Sequence, residues 1–232
     1  MSKEIFNHAT EAWNEEIQRE KIEGQYPKWP NEVMLKILFG GDHYLRTPFK
    51  PQSSWRVLDV GCGFANNLVP FADIGCDCHG VDLTSQMAAT VQNVMDSRGF
   101  NVKIQAGNNR SLPFPDEYFD LLLSVNTLHY EGTEEKFEAA LQEFRRVLKP
   151  GGGVYISTVG PEHEIQKRAT LLGNHRYRVQ DFGFRSGEEF YFCDSEQYLQ
   201  FHCKKFFETV ETGRVTEKLI KLPLDFLVAL CR

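Results

Sequence analysis

The sequence lacks several features that would each assign it to a particular class of protein. No apolar stretch approaches the roughly 20 residues of a membrane-spanning helix, so we expect no membrane partner. Residues 1–16 are polar and acidic, unlike a secretory signal, which favours a cytoplasmic location. Positive charge is not in excess either: 26 Lys and Arg face 32 Asp and Glu. The net charge of −6 argues against a nucleic-acid partner, because phosphate binding needs a basic surface.

The cysteines lack the spacing of a metal site. No C-x-x-C pair occurs, and Cys76 and Cys78 stand closer together than zinc ligands usually do. We therefore expect no bound metal and buried, reduced thiols at all six positions: 62, 76, 78, 193, 203 and 231.

What the sequence does contain is a strand, a glycine turn and a helix within VLDVGCGFANN, residues 57–67. Gly61 and Gly63 allow a tight turn and the close approach of a ligand, and the helix that follows begins with unpaired N–H groups. Asp82 ends the next predicted strand, 21 residues after Gly61. This is near the roughly 20-residue offset of a carboxylate that holds a ribose. The combination predicts a site for a nucleoside-type ligand.

The glycine turn departs from the dinucleotide-binding pattern G-x-G-x-x-G/A, because Asn66 occupies its last position. Asp59, two residues before the first glycine, favours a ligand that carries a cationic amino group over one that carries a pyrophosphate. A nicotinamide-dependent dehydrogenase is therefore the weaker alternative.

Apolar strands and amphipathic helices alternate over residues 51–160. Strands are predicted at 56–60, 77–81, 102–106, 119–125 and 153–159, with helices at 66–74, 85–98 and 134–148. A helix at 195–204 precedes two strands, 206–215 and 224–231, that no helix separates. The predicted fold class is α/β: a doubly wound, seven-stranded, mostly parallel sheet with an antiparallel terminal hairpin and helices on both faces.

The remaining segments predict additions to this domain. Residues 1–50 read as an N-terminal helical cap, which either covers one sheet face or closes over the site through aromatic side chains at Trp13, Tyr26, Trp29 and Tyr44. The main domain is then 51–232, with a substrate-side insert at about 160–205.

Residues 55–160 resemble the class I, Rossmann-like S-adenosylmethionine-dependent methyltransferases through the glycine turn, the carboxylate after the second strand and FRRVLKPGG before the fifth. The resemblance implies S-adenosylmethionine as cofactor and identifies 51–232 as the domain that binds it. It implies Asp59, Gly61 and Gly63 at the methionine end, Asp82 at the ribose hydroxyls and Leu83 on one adenine face.

The same resemblance extends to the loop GNNRSLPF, residues 107–114. Asn108 stands where the family usually has Asp, and its amide oxygen can accept from the adenine amino group. Asn109 is expected to offer its backbone N–H to the ring, and Cys62 and Ser124 complete the expected cofactor-binding set. Ala65 replaces a family glycine, which the turn tolerates if its φ is negative.

The methyl acceptor is expected beside SVNTLHY, at the end of the fourth strand. The segment lacks the Asn-Pro-Pro-Tyr motif that holds an amino group, which favours O-methylation of a small molecule over N-methylation. His129 is the candidate general base, and a structural histidine is the alternative. The basic residues at 167–168 and 175–178 predict either a clamp for an acidic substrate or a solvated loop. A regulatory protein that binds the cofactor without turnover stays open as well.

Overall fold

The computed structural model describes residues 2–24, 26–41, 49–220 and 222–232, with the backbone alone for 2–9, 219 and 222. The helices in these ranges are α1 Ser2–Glu23, α2 Glu32–Phe39, α3 Val69–Asp73, α4 Ser85–Ser97, α5 Glu134–Val147, α6 Glu164–Lys167 and α7 Glu196–Cys203. The strands are β1 Arg56–Val60, β2 Asp77–Asp82, β3 Val102–Ala106, β4 Phe119–Val125, β5 Leu148–Val159, β6 Ala169–Gly173, β7 Arg176–Val179, β8 Glu189–Tyr191, β9 Val210–Leu219 and β10 Leu222–Cys231.

Seven of these strands form one sheet in the order β3-β2-β1-β4-β5-β10-β9. Strand β10 runs antiparallel to both of its neighbours, and the other six strands share one direction. The chain winds outward from β1 in one direction and from β4 in the other, so these two strands form the switch point where open α/β sheets bind ligands. The predicted fold class, including the terminal hairpin, is confirmed.

Alternate residues of the central strands supply two separate hydrophobic cores, one on each face of the sheet. Leu58 of β1 packs with Phe137 of α5 on one face. Val57, its neighbour in β1, packs with Met34 of α2 and Phe71 of α3 on the other. All five side chains are fully buried. Each such burial stabilises the fold by about 1.5–3 kcal/mol, which makes β1 a rigid base for the loop that follows it.

Several element boundaries differ from their predicted positions. The predicted helix 66–74 is a 3₁₀ turn, Asn66–Leu68, followed by the short helix α3, with a proline in its first turn. Strand β9 begins at Val210 rather than at 206, because Phe206 and Phe207 close the turn after α7 and Phe207 is buried in the core.

Strands β6, β7 and β8 form a separate antiparallel sheet within the insert, which the sequence did not predict. They are only three to five residues long, and most of β6 is exposed, so they show no alternation of apolar and polar residues. Phe190 and Phe192 bury this sheet against Val159 and Ile165, which fixes the insert beside the end of β5.

Two further expectations concern the whole chain. In the described ranges, no helix combines the length and the apolar character that crossing a bilayer requires. All six cysteines are buried free thiols, as predicted.

Candidate functional site

A cavity of about 790 Å³ lies at the carboxyl ends of the central strands. Its volume falls within the range of about 300–1,000 Å³ that is typical of ligand sites. One half is bounded by the loops after β1, β2 and β3. The other half is bounded by α1, by the segment after β4 and by the insert.

Gly61 and Gly63 both have positive φ, 66° and 51°, and both line the cavity. The N–H groups of Gly61 and Cys62 donate to the carbonyl of Val81, at 2.8 and 3.0 Å, which fastens the loop to β2. A Cβ on Gly61 would lie 2.4 Å from Cγ2 of Thr127, whereas one on Gly63 would meet no protein atom within 4 Å. Gly61 therefore serves the packing of the loop, and Gly63 leaves room for a ligand.

Asp82 lies at the end of β2 and lines the cavity. One carboxylate oxygen accepts from the N–H of Leu83 at 2.7 Å and the other from the N–H of Gly63 at 3.0 Å. Burial raises the pKa of Asp82 to about 6, although these two hydrogen bonds act in the opposite direction. Each oxygen keeps a lone pair that can accept a hydroxyl, and Leu83 lines the cavity beside it.

Ala65 corrects one expectation. The turn is expected to tolerate alanine here if φ is negative, but φ is +57°, a conformation that residues with a Cβ adopt only with strain. The methyl group is fully buried in the core of the sheet face, which compensates in part for that strain.

Asp59 lies beneath the glycine loop and is fully buried, outside the residues that line the cavity. Its Oδ2 is 3.5 Å from the amide nitrogen of Asn67, and its Oδ1 has no hydrogen-bond partner among the described residues. Burial raises its pKa to about 8. A cationic group bound at the loop would provide a partner of opposite charge and would favour the ionised form of this carboxyl group.

The loop after β3 brings Asn108 and Asn109 to the cavity wall. The Asn108 side-chain oxygen accepts from the N–H of Arg110 at 3.0 Å, so a second lone pair remains for a ligand. The Asn109 amide donates to Glu131 at 2.9 Å, and Arg110 pairs with the same carboxylate at 2.7 Å. These contacts hold the loop in place.

Two predicted cofactor residues lie behind the wall. The side chain of Cys62 packs against Gly80 and, like Ser124, is not among the lining residues. The Ser124 hydroxyl shares a hydrogen bond of 2.8 Å with that of Thr127, which does line the cavity. Their position fits support of the wall rather than direct contact.

His129 lies in the other half of the cavity and is 3% exposed. Its Nδ1 is 3.4 Å from the hydroxyl of Thr158. Burial lowers the pKa of His129 well below its usual value, and the nearby Arg185 and His163 lower it further. The imidazole is therefore neutral near pH 7, which suits hydrogen bonding to a ligand better than taking up its proton.

The basic residues of the insert are largely paired with acids. Arg168 pairs with Glu164, and both Arg176 and Arg178 pair with Glu189. Of these arginines only Arg176 lines the cavity. Such pairing is typical of a charged surface and leaves little positive charge to clamp an acidic substrate.

Arg185 and Glu188, which the sequence analysis did not identify, both line the cavity. Arg185 donates to the hydroxyl of Tyr130 at 2.7 Å, and its guanidinium lies over the rings of Phe184 and Trp13, at 4.7 and 5.3 Å. Both residues lie in or beside an irregular turn, where no spacing rule marks them, and only the packing of the insert brings them to the cavity.

The structure describes three of the four aromatic residues of the predicted lid, and they differ in their surroundings. Trp13 of α1 contacts Tyr130 and Phe184, with ring centroids 5.7 and 4.8 Å apart, and lines the cavity. Tyr26 stacks on Phe64 of the glycine loop at 4.7 Å. Trp29 is 84% exposed, and Tyr44 lies outside the described residues.

Comparison with known proteins finds similarity to methyltransferases over part of the chain. Residues 57–152 match the family described as a methyltransferase domain. The methyltransferase YcgJ of Bacillus subtilis is 32% identical over 128 residues, which cover 54% of this chain and 48% of that protein. Norajmaline N-methyltransferase of Rauvolfia serpentina is 30% identical over 104 residues, 44% of this chain and 35% of that protein. The chain thus spans about half the length, or less, of these relatives.

A solved structure shares the fold. A SAM-dependent methyltransferase of Methanosarcina mazei superposes with a TM-score of 0.61 at 20% identity, covering 78% of this chain and 93% of that one. The mostly parallel sheet, the glycine turn and the carboxylate after β2 form the arrangement expected of a nucleoside-binding α/β domain. Residues 57–152 of this chain thus match a methyltransferase domain, and the fold is that of a SAM-dependent methyltransferase structure.

Proposed function

We propose that this protein binds S-adenosylmethionine and transfers its methyl group to a small molecule. One observation carries the proposal: Gly63 and Asp82 line one half of a cavity whose other half is aromatic and contains His129. A single cavity therefore has room for both a nucleoside cofactor and an acceptor beside it.

The described residues fit such a cofactor. Gly63 leaves space that a Cβ would fill, and Asp82 and Asn108 offer free lone pairs to a ribose and an adenine. The buried carboxyl of Asp59 lacks a charged partner. When bound, the cofactor supplies a methyl group on a positively charged sulfur, and the electrons of the broken C–S bond stay on that sulfur. The protein's part is to orient the acceptor and exclude water, which lowers the barrier by about 7–11 kcal/mol in well-aligned reactions.

An oxygen nucleophile is the first candidate acceptor, because the Asn-Pro-Pro-Tyr motif is absent after β4. His129 would contact the acceptor as a neutral imidazole. Its lowered pKa supports hydrogen bonding more than general-base catalysis.

N-methylation is the second candidate, favoured by the similarity to norajmaline N-methyltransferase. A regulatory protein without turnover remains the contrasting class. The size of the cavity favours an enzyme, since a binder of the cofactor alone needs no aromatic chamber beside it.

Titration calorimetry with S-adenosylmethionine tests the proposal. We expect the wild type to bind and Asp82→Ala to bind at least about tenfold more weakly, because two ribose hydrogen bonds are each worth about 1 kcal/mol or more. Asp73→Ala is the matched control, because Asp73 is exposed at the end of α3 and does not line the cavity.

The thermal unfolding temperature of Asp82→Ala must be measured alongside, since Asp82 also holds the N–H groups of Gly63 and Leu83. A wild type that does not bind, or a folded Asp82→Ala variant that binds as tightly as wild type, contradicts the proposal.

A further inference from the structure

Glu188 is a buried carboxyl group in the acceptor half of the cavity, and none of the described residues is its hydrogen-bond partner. It precedes β8 and is only 4% exposed. Both of its carboxyl oxygens are buried and make no hydrogen bond with any described residue. A buried polar group in this state costs the folded protein free energy, so its presence calls for a partner that the described residues do not supply.

The other acidic side chains that line the cavity differ from Glu188 in this respect. Both oxygens of Asp82 accept from backbone N–H groups. Glu131 pairs with Asn109 and Arg110. Glu189 forms ion pairs with two arginines of β7. Among the described lining residues, Glu188 is thus the acidic group left free to bind a ligand.

None of the described charged or titratable groups around Glu188 forms an ion pair with it. The positive charge of Arg185 lowers the pKa of Glu188, but the Arg185 guanidinium donates its hydrogen bond to Tyr130 and lies over aromatic rings. His129 and His163 also line this half, and burial lowers the pKa of both. Burial raises the pKa of Glu188 itself to about 8, which makes its ionised form a stronger base than an ordinary carboxylate.

Several apolar and aromatic side chains line the cavity together with Glu188. Phe182, Tyr130, Phe226 and Val159 line the same half of the cavity. A ligand that fits here offers a mostly apolar body to these walls and a single hydrogen-bond donor to Glu188.

We propose that Glu188 binds the methyl acceptor through the proton on its nucleophilic atom, so that the acceptor is a compact, largely apolar molecule with a reactive hydroxyl or amine. This inference rests on the proposed function. The acceptor's oxygen or nitrogen forms the new bond to the methyl carbon with its own electron pair, and its proton passes to the Glu188 carboxylate and then to solvent. A carboxylate acceptor, which has no such proton, would be disfavoured at this position.

Binding of matched small aromatic molecules tests the inference without turnover. The protein is first saturated with S-adenosylhomocysteine, and binding of 4-methylphenol and of 4-methylanisole is then measured by ligand-observed NMR. In 4-methylanisole a methyl group replaces the hydroxyl proton, so this compound cannot donate a hydrogen bond; the size difference between the two compounds is the same for wild type and the variants. We expect wild type to prefer 4-methylphenol by at least about fivefold, the effect of one hydrogen bond to a buried acceptor.

Two variants separate the role of Glu188 from folding. Glu188→Leu keeps a side chain of similar volume but removes the hydrogen-bond acceptor, so it should lose the preference for 4-methylphenol. Glu188→Gln retains an acceptor oxygen and should keep part of it. Glu164→Gln, whose carboxylate lies on α6 and pairs with Arg168, is the control and should behave as wild type.

The charged form of Glu188 is tested with benzylamine, which stays a cation below about pH 9. Its affinity for wild type should rise about tenfold from pH 6 to pH 8.5 as Glu188 ionises, and should stay flat in Glu188→Gln. Equal preference for 4-methylphenol in wild type and Glu188→Leu, or tighter binding of benzoate than of benzylamine at pH 8.5, where Glu188 is mostly ionised, overturns the inference. Failure of S-adenosylhomocysteine to bind wild type would instead overturn the proposed function, and the inference with it.

Discussion

At the scale of single residues, Gly61 and Gly63 share a left-handed backbone but have different surroundings. Gly61→Ala adds a clash with Thr127 to the strain of a positive φ, so we expect it to destabilise the fold by about 3 kcal/mol or more. Gly63→Ala adds only the backbone strain, about 1–2 kcal/mol, but its methyl group occupies the cavity. Chemical denaturation and S-adenosylhomocysteine binding measure the two effects.

Gly63→Ala should therefore keep most of its stability and lose binding by about tenfold or more. The two variants control each other, since both place alanine at a similar φ. Equal stability of the two, or full binding by Gly63→Ala, would show that the loop does not face a ligand in the way described.

Asp59 supplies a prediction about pH. An unfolded aspartate has a pKa near 3.9, whereas burial raises that of Asp59 to about 8 in the folded protein. Between these values the folded state binds more protons, so this group's contribution to stability is fully present below about pH 4 and is lost as pH rises through about 8. Asp59→Asn removes the titration and keeps the amide contact to Asn67 available.

The unfolding free energy of Asp59→Asn relative to wild type, without ligand, should therefore increase with pH from 5 to 8. The slope approaches about 1.4 kcal/mol per pH unit at most. Urea unfolding at several pH values measures it. A difference between the two proteins that does not change with pH would mean that Asp59 ionises normally in the folded state.

At the scale of elements, helix α1 is attached to the rest of the protein by a few side chains. Trp13 contacts Tyr130 and Phe184, and Ile17 packs near Met87 of α4. Trp13→Ala removes two aromatic contacts worth about 0.5–1.5 kcal/mol each. We expect amide hydrogen exchange in α1 to quicken by about tenfold, while exchange in β1 and β4 stays slow.

Trp29→Ala is the matched control, because its side chain is mostly exposed and lies outside the cavity lining. It should leave exchange in α1 unchanged. If Trp13→Ala also has no effect, Trp13 does not hold α1 over the cavity, and the proposed lid has no physical basis.

A comparison of predicted and observed elements shows which of them the sequence predicts correctly. Strands β1 and β4 are short apolar runs bounded by turns, because they are buried on both faces, and their predicted limits match those found. Helix α5 has a capping threonine, Thr133, and a buried apolar stripe, and it ends one residue before its predicted end. The sheet β6–β8 offers no such signal, since its order comes from contacts with distant residues such as Val159.

In the candidate site, too, some residues could be predicted from the sequence and others could not. Asp82 and the glycines stand at fixed offsets from strand ends, so local spacing was enough to find them. Glu188 and Arg185 reach the cavity only because the insert folds back on β5, and no spacing along the chain encodes that. The condition of a negative φ at Ala65 is not met, because the turn imposes a positive φ against the preference of alanine.

At the scale of the whole molecule, the account depends on where a nucleoside ligand lies relative to the sheet. The central measurement is a crystal structure with S-adenosylhomocysteine bound. It should show the ribose hydroxyls at Asp82, the adenine at the Asn108 loop, and free space in front of Glu188 and His129. Binding at another surface, or a dinucleotide held in this cavity with no binding of S-adenosylhomocysteine, would contradict the account.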